Sequence, residues 1–319
     1  MAQPVALELD AQYRQLREEC GLLDRSARGK LILSGSEAAE YLQGQLTSEV
    51  EALAPGEGQY AALLDRKGHI QADMRVLRTS PEEIWLDTEP EALEAARRHL
   101  EMYKIGREVA IADVTAERAM LSLIGPRSVE LAGTAVLPEH ASDSTAVAGV
   151  ECLAVGAADG IDLIVKAAEA ERLREALLDA GAAAVGPEAA EIVRIEAGRP
   201  RFGAEMSGET MPAEAGIVER AVSFTKGCYI GQEPVARLHY KGRPNRHLRG
   251  LALSAPAAPG TSLRLGEKEV GKVGGACVSP ALGPIALAIV RREAEPGATL
   301  AVGDGGVSAA VVELPFGAG

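Results

Sequence analysis

The densest chemistry in this chain lies at Lys226-Gly227-Cys228-Tyr229-Ile230-Gly231-Gln232-Glu233. A lysine two positions before a cysteine is a cation at hand to favour the thiolate, the nucleophilic form. Pro234 suits the first turn of a helix opening near Gly231, and the positive end of that helix would favour the thiolate again. Two glycines let the backbone turn tightly and approach a ligand. Without those features a lone cysteine is usually a small buried hydrophobe beside a turn. Cys228 and Lys226 are therefore candidates for thiol chemistry.

Two carboxylates come next. Glu196, in Arg194-Ile195-Glu196-Ala197-Gly198-Arg199, falls in the last turn of a predicted helix, against the negative end of its dipole. Such a charge needs a partner. Arg194 or Arg199 would make it a salt bridge, the commoner case; a ligand with two adjacent N–H donors would use it as a bidentate acceptor. Asp73 lies in a predicted strand. Alternation puts Ile70, Ala72, Met74 and Val76 on one face and His69, Gln71, Asp73 and Arg75 on the other. The plain expectation for Asp73 is a solvated face, cross-paired with a basic neighbour. The last feature is a basic cluster: Arg237, Lys241, Arg243, Arg246 and Arg249 fall within thirteen residues, and no Asp or Glu occurs from Pro234 to Gly266. It suits an anionic ligand tail or a polyanion, or else a linker paired with acidic surface.

These residues must be positioned by ordinary elements. Apolar residues at spacings of 3 and 4 predict a helix over 8–20, stopped by Gly21. A strand at 30–34, Gly35 and a helix through Leu42 follow. Strands at 58–64 and 69–78, joined by a polar turn, lead to a strand at 84–88 and a helix from Pro90 to Tyr103. A similar order then recurs: a strand at 119–124, Gly125, a short helix, a hairpin of 147–155 with 161–166, and a helix ending at Gly181. The echo, in pattern and not in identity, suggests two related α+β units with repeat cores near 29–104 and 119–181. Pro187 opens another helix, ending at Gly198. From about 248 onward, short apolar runs (248–253, 263–265, 285–290, 307–312) alternate with Gly- and Pro-rich turns, as in a small all-β barrel.

Composition limits the possibilities. The 319 residues carry 33 basic and 46 acidic side chains, a formal charge of −13, with 47% hydrophobic and 3% aromatic residues. The charge weighs against whole-surface binding to nucleic acid or anionic membrane, and the aromatic poverty against serial base stacking. No secretory signal or apolar run of about 20 residues is visible, so no membrane partner and a cytoplasmic location are expected. Cys20, Cys152, Cys228 and Cys277 form no C-x-x-C pair and the five histidines no H-x-x-x-H pair, so no metal site is expected.

KGCYIGQE at 226–233, followed by Val235-Ala236-Arg237 and Gly242-Arg243, resembles the signature of the YgfZ family, folate-binding relatives of the glycine-cleavage T-protein, an aminomethyltransferase. Asp24-Arg25-Ser26, Gly35, Leu42-Gln43-Gly44 with Leu46-Thr47, Gly68 to Asp73, Arg194 to Gly198 and Pro212-Ala213-Glu214-Ala215 extend the resemblance over most of the chain. It implies an α+β fold: a three-part cloverleaf of two related ferredoxin-like modules and a small C-terminal β-barrel around a central cavity. Residues 1–240 would form the folate-binding region and 241–319 the barrel. The implied cofactor is tetrahydrofolate or a one-carbon derivative. Glu196 would hold the pterin edge, with Arg194, Tyr229, Gln232, Glu233 and Arg237 completing the cofactor site and arginines receiving the glutamyl tail.

Asp73 falls where T-proteins carry the second of two adjacent aspartates, in the region associated with catalysis; the first is Ala72 here. T-proteins do not carry KGCYxGQE, and their usual Thr-Asn-Asp after the first helix is Thr47-Ser48-Glu49 in this chain. These departures favour a folate-dependent accessory protein for iron–sulfur cluster assembly or repair. Cys228 would be its reactive thiol, Lys226 the thiolate's cation, and iron–sulfur enzymes or assembly factors its partners. The alternative is a tetrahydrofolate-dependent aminomethyl transferase, with the folate N5 as nucleophile and Asp73 handling charge or protons. An RNA-associated factor using the basic cluster is third, since nucleic acid suits neither the charge nor the aromatic content.

Overall fold

The computed structural model describes residues 7–317. The chain divides into two compact units. The first comprises residues up to Leu63, Gln71–Ala190 and Thr225–Ile230; the second comprises Leu64–Ile70, Glu191–Phe224 and Gly231–Gly319.

The first unit is built on two mainly antiparallel sheets. One has five strands in the order Gly58–Leu64, Ile70–Ser80, Glu83–Thr88, Gly29–Ser34, Ala110–Asp113. The other has six, in the order Ala183–Ala184, Gly21–Asp24, Arg118–Ile124, Gly160–Lys166, Val150–Ala157, Ser142–Val147. The echo seen in the sequence is a repeat of topology. Each module opens with a strand and a glycine at positive φ, Gly35 at 134° and Gly125 at 124°. Each continues with a short helix, Ala38–Gln45 or Ser128–Ala132, then a three-strand meander, then a longer helix, Pro90–Tyr103 or Ala170–Asp179. In the first module the returning strand Ala110–Asp113 pairs beside the opening strand; in the second that place is taken by Gly21–Asp24, from the N-terminal side.

Two short strands of this unit, Gly21–Asp24 and Ala110–Asp113, escape a reading of periodicity because four residues are too few to show one. A further strand, Ser142–Val147, was missed because its residues between the two ends are polar, half-buried or exposed. The helix start at Leu9 and the helices from Pro90 and Pro187 fall where the spacing places them.

The two sheets meet through faces of graded polarity. Leu77, Trp85, Val114, Met120, Val155 and Ile164 form an apolar cluster. Further along the same face of Ile70–Ser80 come Arg75 and then Asp73, as strand alternation requires. Arg75 donates to Asp87 on its own sheet and to Asp162 on the other, each at 2.6 Å. Ser122 donates to Asp162, Arg28 to Asp87 at 2.6 Å, and Arg28 also to Glu89. The result is a chain of alternating charge, Glu89–Arg28–Asp87–Arg75–Asp162, nearly all of it out of water. Burial alone would raise the Asp87 carboxyl; Arg28 and Arg75 outweigh it and hold Asp87 at about 2.

The second unit contains the barrel. Six strands close in the order Arg246–Leu253, Val307–Val312, Thr299–Val302, Ser262–Leu265, Lys268–Lys272, Gly283–Arg291 and back to Arg246–Leu253. Ala276–Ser279 pairs with the start of Gly283–Arg291. Closure removes the free edges that an open sheet exposes. Leu251, Leu263, Val290, Leu300 and Val311 are among the side chains filling the interior. Among the described residues no helix is long and apolar enough to cross a membrane.

Candidate functional site

In the first unit, Asp73 is 8% exposed. The expectation of a solvated face is corrected here: the carboxyl is buried beside Tyr60, with Arg28 and Glu89 near it. Tyr60 Oη donates to Asp73 Oδ2 at 2.6 Å, and Thr88 Oγ1 donates to the Asp73 carbonyl. Asp73 Oδ1 is buried without a hydrogen-bond partner. Glu89 continues the register in which Met74 faces Thr88. Burial pushes the Asp73 carboxyl up; the Tyr60 hydroxyl opposes it and the Glu89 charge adds to it, leaving Asp73 at about 6. A buried carboxyl with one oxygen held, one unmet, and proton affinity near neutrality is suited to exchanging a proton with a ligand.

Lys226, Cys228 and Tyr229 also belong to the first unit. Lys226 is buried, and its ammonium donates to the carbonyls of Gln43 at 2.6 Å and of Leu46 and Ser48 at 2.7 Å. These carbonyls end the helix Ala38–Gln45 and begin the turn after it, where a cation complements the dipole. With its three N–H groups so engaged, Lys226 has no donor left for a thiolate, which corrects its expected pairing with Cys228. Desolvation pushes the Lys226 ammonium down to about 8, against the partial support of Glu49 and Glu51. The ammonium also lies 5.1 Å from the centre of the Tyr229 ring. Tyr229 is buried, and its hydroxyl has no hydrogen-bond partner. Cys228 follows the exposed Gly227 and precedes the buried Tyr229; it is exposed, the only exposed cysteine of the four. Cys277 is half-buried, and burial with the nearby Glu196 charge pushes its thiol up to about 12.

In the second unit, Glu196 is the last residue of Pro187–Glu196 and is 5% exposed. Ser279 Oγ donates to its Oε1. The helix is seated by Ile195, which packs on Ile285 and Leu287 of the barrel. Arg194 is not Glu196's partner. Its guanidinium donates to both oxygens of Glu191, both of Glu205 and the Arg199 carbonyl, which engages all five N–H groups. Arg194 therefore leaves the set of expected cofactor contacts. It has a structural role, holding Glu205, which also accepts from the backbone N–H groups of Arg201 and Gly275.

Gln232, Glu233 and Arg237 lie on the helix Gln232–Lys241, with Gln232 half-buried and the other two exposed. The basic cluster is not one patch. Arg246 binds both oxygens of Glu214 at 2.8 Å, and Arg249 lies 3.5 Å from Glu313. Sequence reasoning missed Tyr60, Glu89 and Ser279. Tyr60 and Glu89 show no motif of their own, and Ser279 meets Glu196 across 83 residues.

The architecture is a repeated α+β unit followed by a closed barrel, with a buried carboxylate in each unit. Residues 3–226 match the GCVT N-terminal domain, and residues 246–317 match the glycine cleavage T-protein C-terminal barrel domain. The chain belongs to the glycine-cleavage T-protein family. An aminomethyltransferase of Rubrobacter xylanophilus is 30% identical over 97% of this chain and 86% of its own length. One from Symbiobacterium thermophilum is 31% identical over 96% of this chain and 88% of its own. The solved glycine cleavage system aminomethyltransferase T from Bartonella henselae aligns with a TM-score of 0.89 at 23% identity, covering 98% of this chain and 91% of that one. At that identity the likeness is one of fold.

Proposed function

We propose that the protein is a tetrahydrofolate-dependent one-carbon transferase of the aminomethyltransferase type. Asp73 carries the reading: a buried carboxyl at about 6, with Oδ2 held by Tyr60 and Oδ1 unmet. The relatives named aminomethyltransferase support it. Ala72 does not weigh against it. Ala72 is fully buried on the opposite, apolar face, so an aspartate lost there is lost from the other side of the sheet.

The residues fit a folate in kind, since nearly dry carboxylates suit the N–H groups of a pterin. Bound tetrahydrofolate supplies the nitrogen that receives the one-carbon unit. Glu196 accepts hydrogen bonds from the pterin edge, and Asp73 takes or gives a proton at Oδ1. A second reading has its own support. KGCYIGQE anchors itself through Lys226 and Tyr229 while leaving Cys228 exposed, as the YgfZ type of accessory protein, with a reactive thiol serving iron–sulfur enzymes, requires.

Calorimetric titration with tetrahydrofolate and single-turnover transfer from an aminomethylated carrier protein test both. Glu196→Ala is expected to weaken folate about tenfold or more. Asp73→Asn is expected to bind folate normally and to transfer about a hundredfold or more slowly. Wild-type protein that binds folate but transfers nothing sinks the transferase reading. Loss of iron–sulfur enzyme activity in cells carrying Cys228→Ala would then establish the second.

A further inference from the structure

We propose that the second unit carries a binding surface for single-stranded nucleic acid, formed by Phe224, Arg237, His239, Tyr240, Lys241 and Arg243. Its first basis is unbalanced charge. Arg237, Lys241 and Arg243 are exposed, and among the described residues they make no ion pair, unlike Arg246 and Arg249. They lie in a stretch without Asp or Glu, Pro234 to Gly266, in a protein of net charge −13. The helix dipole accounts for Lys241, in the last turn of Gln232–Lys241, but not for Arg237 in mid-helix or for Arg243 beyond its end.

The second basis is aromatic and independent of the first. Only 3% of the chain is Phe, Trp or Tyr. Yet Tyr240 is 66% exposed, the only such ring among the exposed large hydrophobic side chains described. It is held, not dangling. Phe224 and His239 stack at 4.0 Å with 18° between their planes, and Tyr240 meets them edge-on at 5.7 and 4.9 Å. A braced ring beside three cations without acidic partners offers a base a stacking surface and its phosphates counter-charges. An acidic protein would use the cations but has no need of the ring. The acidity of the remaining surface limits the contact to a few nucleotides.

The affinity of the full chain for a fluorescein-labelled twelve-nucleotide oligothymidylate, followed by anisotropy, tests this. Three phosphates neutralised on a single strand predict a log–log salt slope of about −2, hence about 20-fold weaker binding at 200 than at 50 mM salt. Tyr240→Ala is expected to weaken binding about tenfold with the slope unchanged. Arg243→Ala is expected to make the slope shallower by about 0.7. Absence of binding at 50 mM salt overturns the proposal. So does Tyr240→Ala binding as wild type while an oligoglutamate of equal charge competes as well as the oligonucleotide; the surface would then serve an acidic protein. The thermal melting temperature, expected unchanged in both variants, reports that they are folded.

Discussion

Burial of the Asp73 carboxyl beside Tyr60 sets both its proton affinity and its effect on stability. Alternation placed Asp73 with Gln71 and Arg75 and opposite Ala72, and the strand is built that way. Its burial was not legible. Arg28, Arg75, Asp87 and Asp162 each look like surface residues, and the Arg75–Asp162 pair spans 87 residues. A carboxyl raised from 3.8 to about 6 opposes folding once it ionises. Below the unfolded value both states are neutral and the group has no effect. Between about 4 and 6 the penalty grows, and above 6 it is complete, at about 3 kcal/mol. Asp73→Asn is therefore expected to stabilise the protein at pH 8 by about 2–3 kcal/mol, with the gain fading as pH falls towards 4. Urea unfolding across that range checks it; a gain independent of pH would mean that ionisation of Asp73 is not its source.

The KGCYIGQE segment is the element of most consequence. Its helix was legible: Pro234 marked the first turn, and the helix begins at Gln232. Gly231 precedes it at φ 82°, and a Cβ there would lie 2.4 Å from the Asp65 carbonyl oxygen, so this glycine is required. The role of Lys226 was not legible, because its carbonyl partners lie 178 to 183 residues away. Lys226→Met would leave three carbonyls without their donor, and a loss of about 2–4 kcal/mol is expected. Lys226→Arg is not expected to restore it, because a planar fork cannot meet three carbonyls converging on one point. Denaturation midpoints measure the loss, and the alkylation rate of Cys228 reports whether the segment has come loose.

At the scale of the whole molecule, the modular order and the barrel were legible from the strand–glycine–helix echo and the short apolar runs after residue 248. The barrel strands Lys268–Lys272, Ala276–Ser279 and Thr299–Val302 were not, because they are too short or too polar to announce themselves. Neither was the ionic layer between the sheets, which has no period. That layer tolerates balanced changes only. Arg75→Met strips a partner from both Asp87 and Asp162, and is expected to lower stability by about 3–5 kcal/mol. Arg75→Met with Asp162→Leu removes a charge of each sign and leaves Asp87 to Arg28, but takes from Arg25 the Asp162 charge beside it, so it is expected to recover part of that loss. Calorimetric melting of the two variants decides; a double variant no more stable than the single one would show that the layer does not act through paired charge.

The strand Gly21–Asp24 is made early, yet its antiparallel partner Arg118–Ile124 joins Gly21 to Ile124, about a hundred residues later in synthesis. At about 5–20 residues per second a ribosome needs roughly 5–20 s to supply that partner. Its parallel neighbour, Ala183–Ala184, arrives later still. The first module can close before then from its own strands, but the second cannot. On the nascent chain the two topological copies therefore mature in sequence, and the Leu22-Leu23 pair waits in the open until the second copy reaches it.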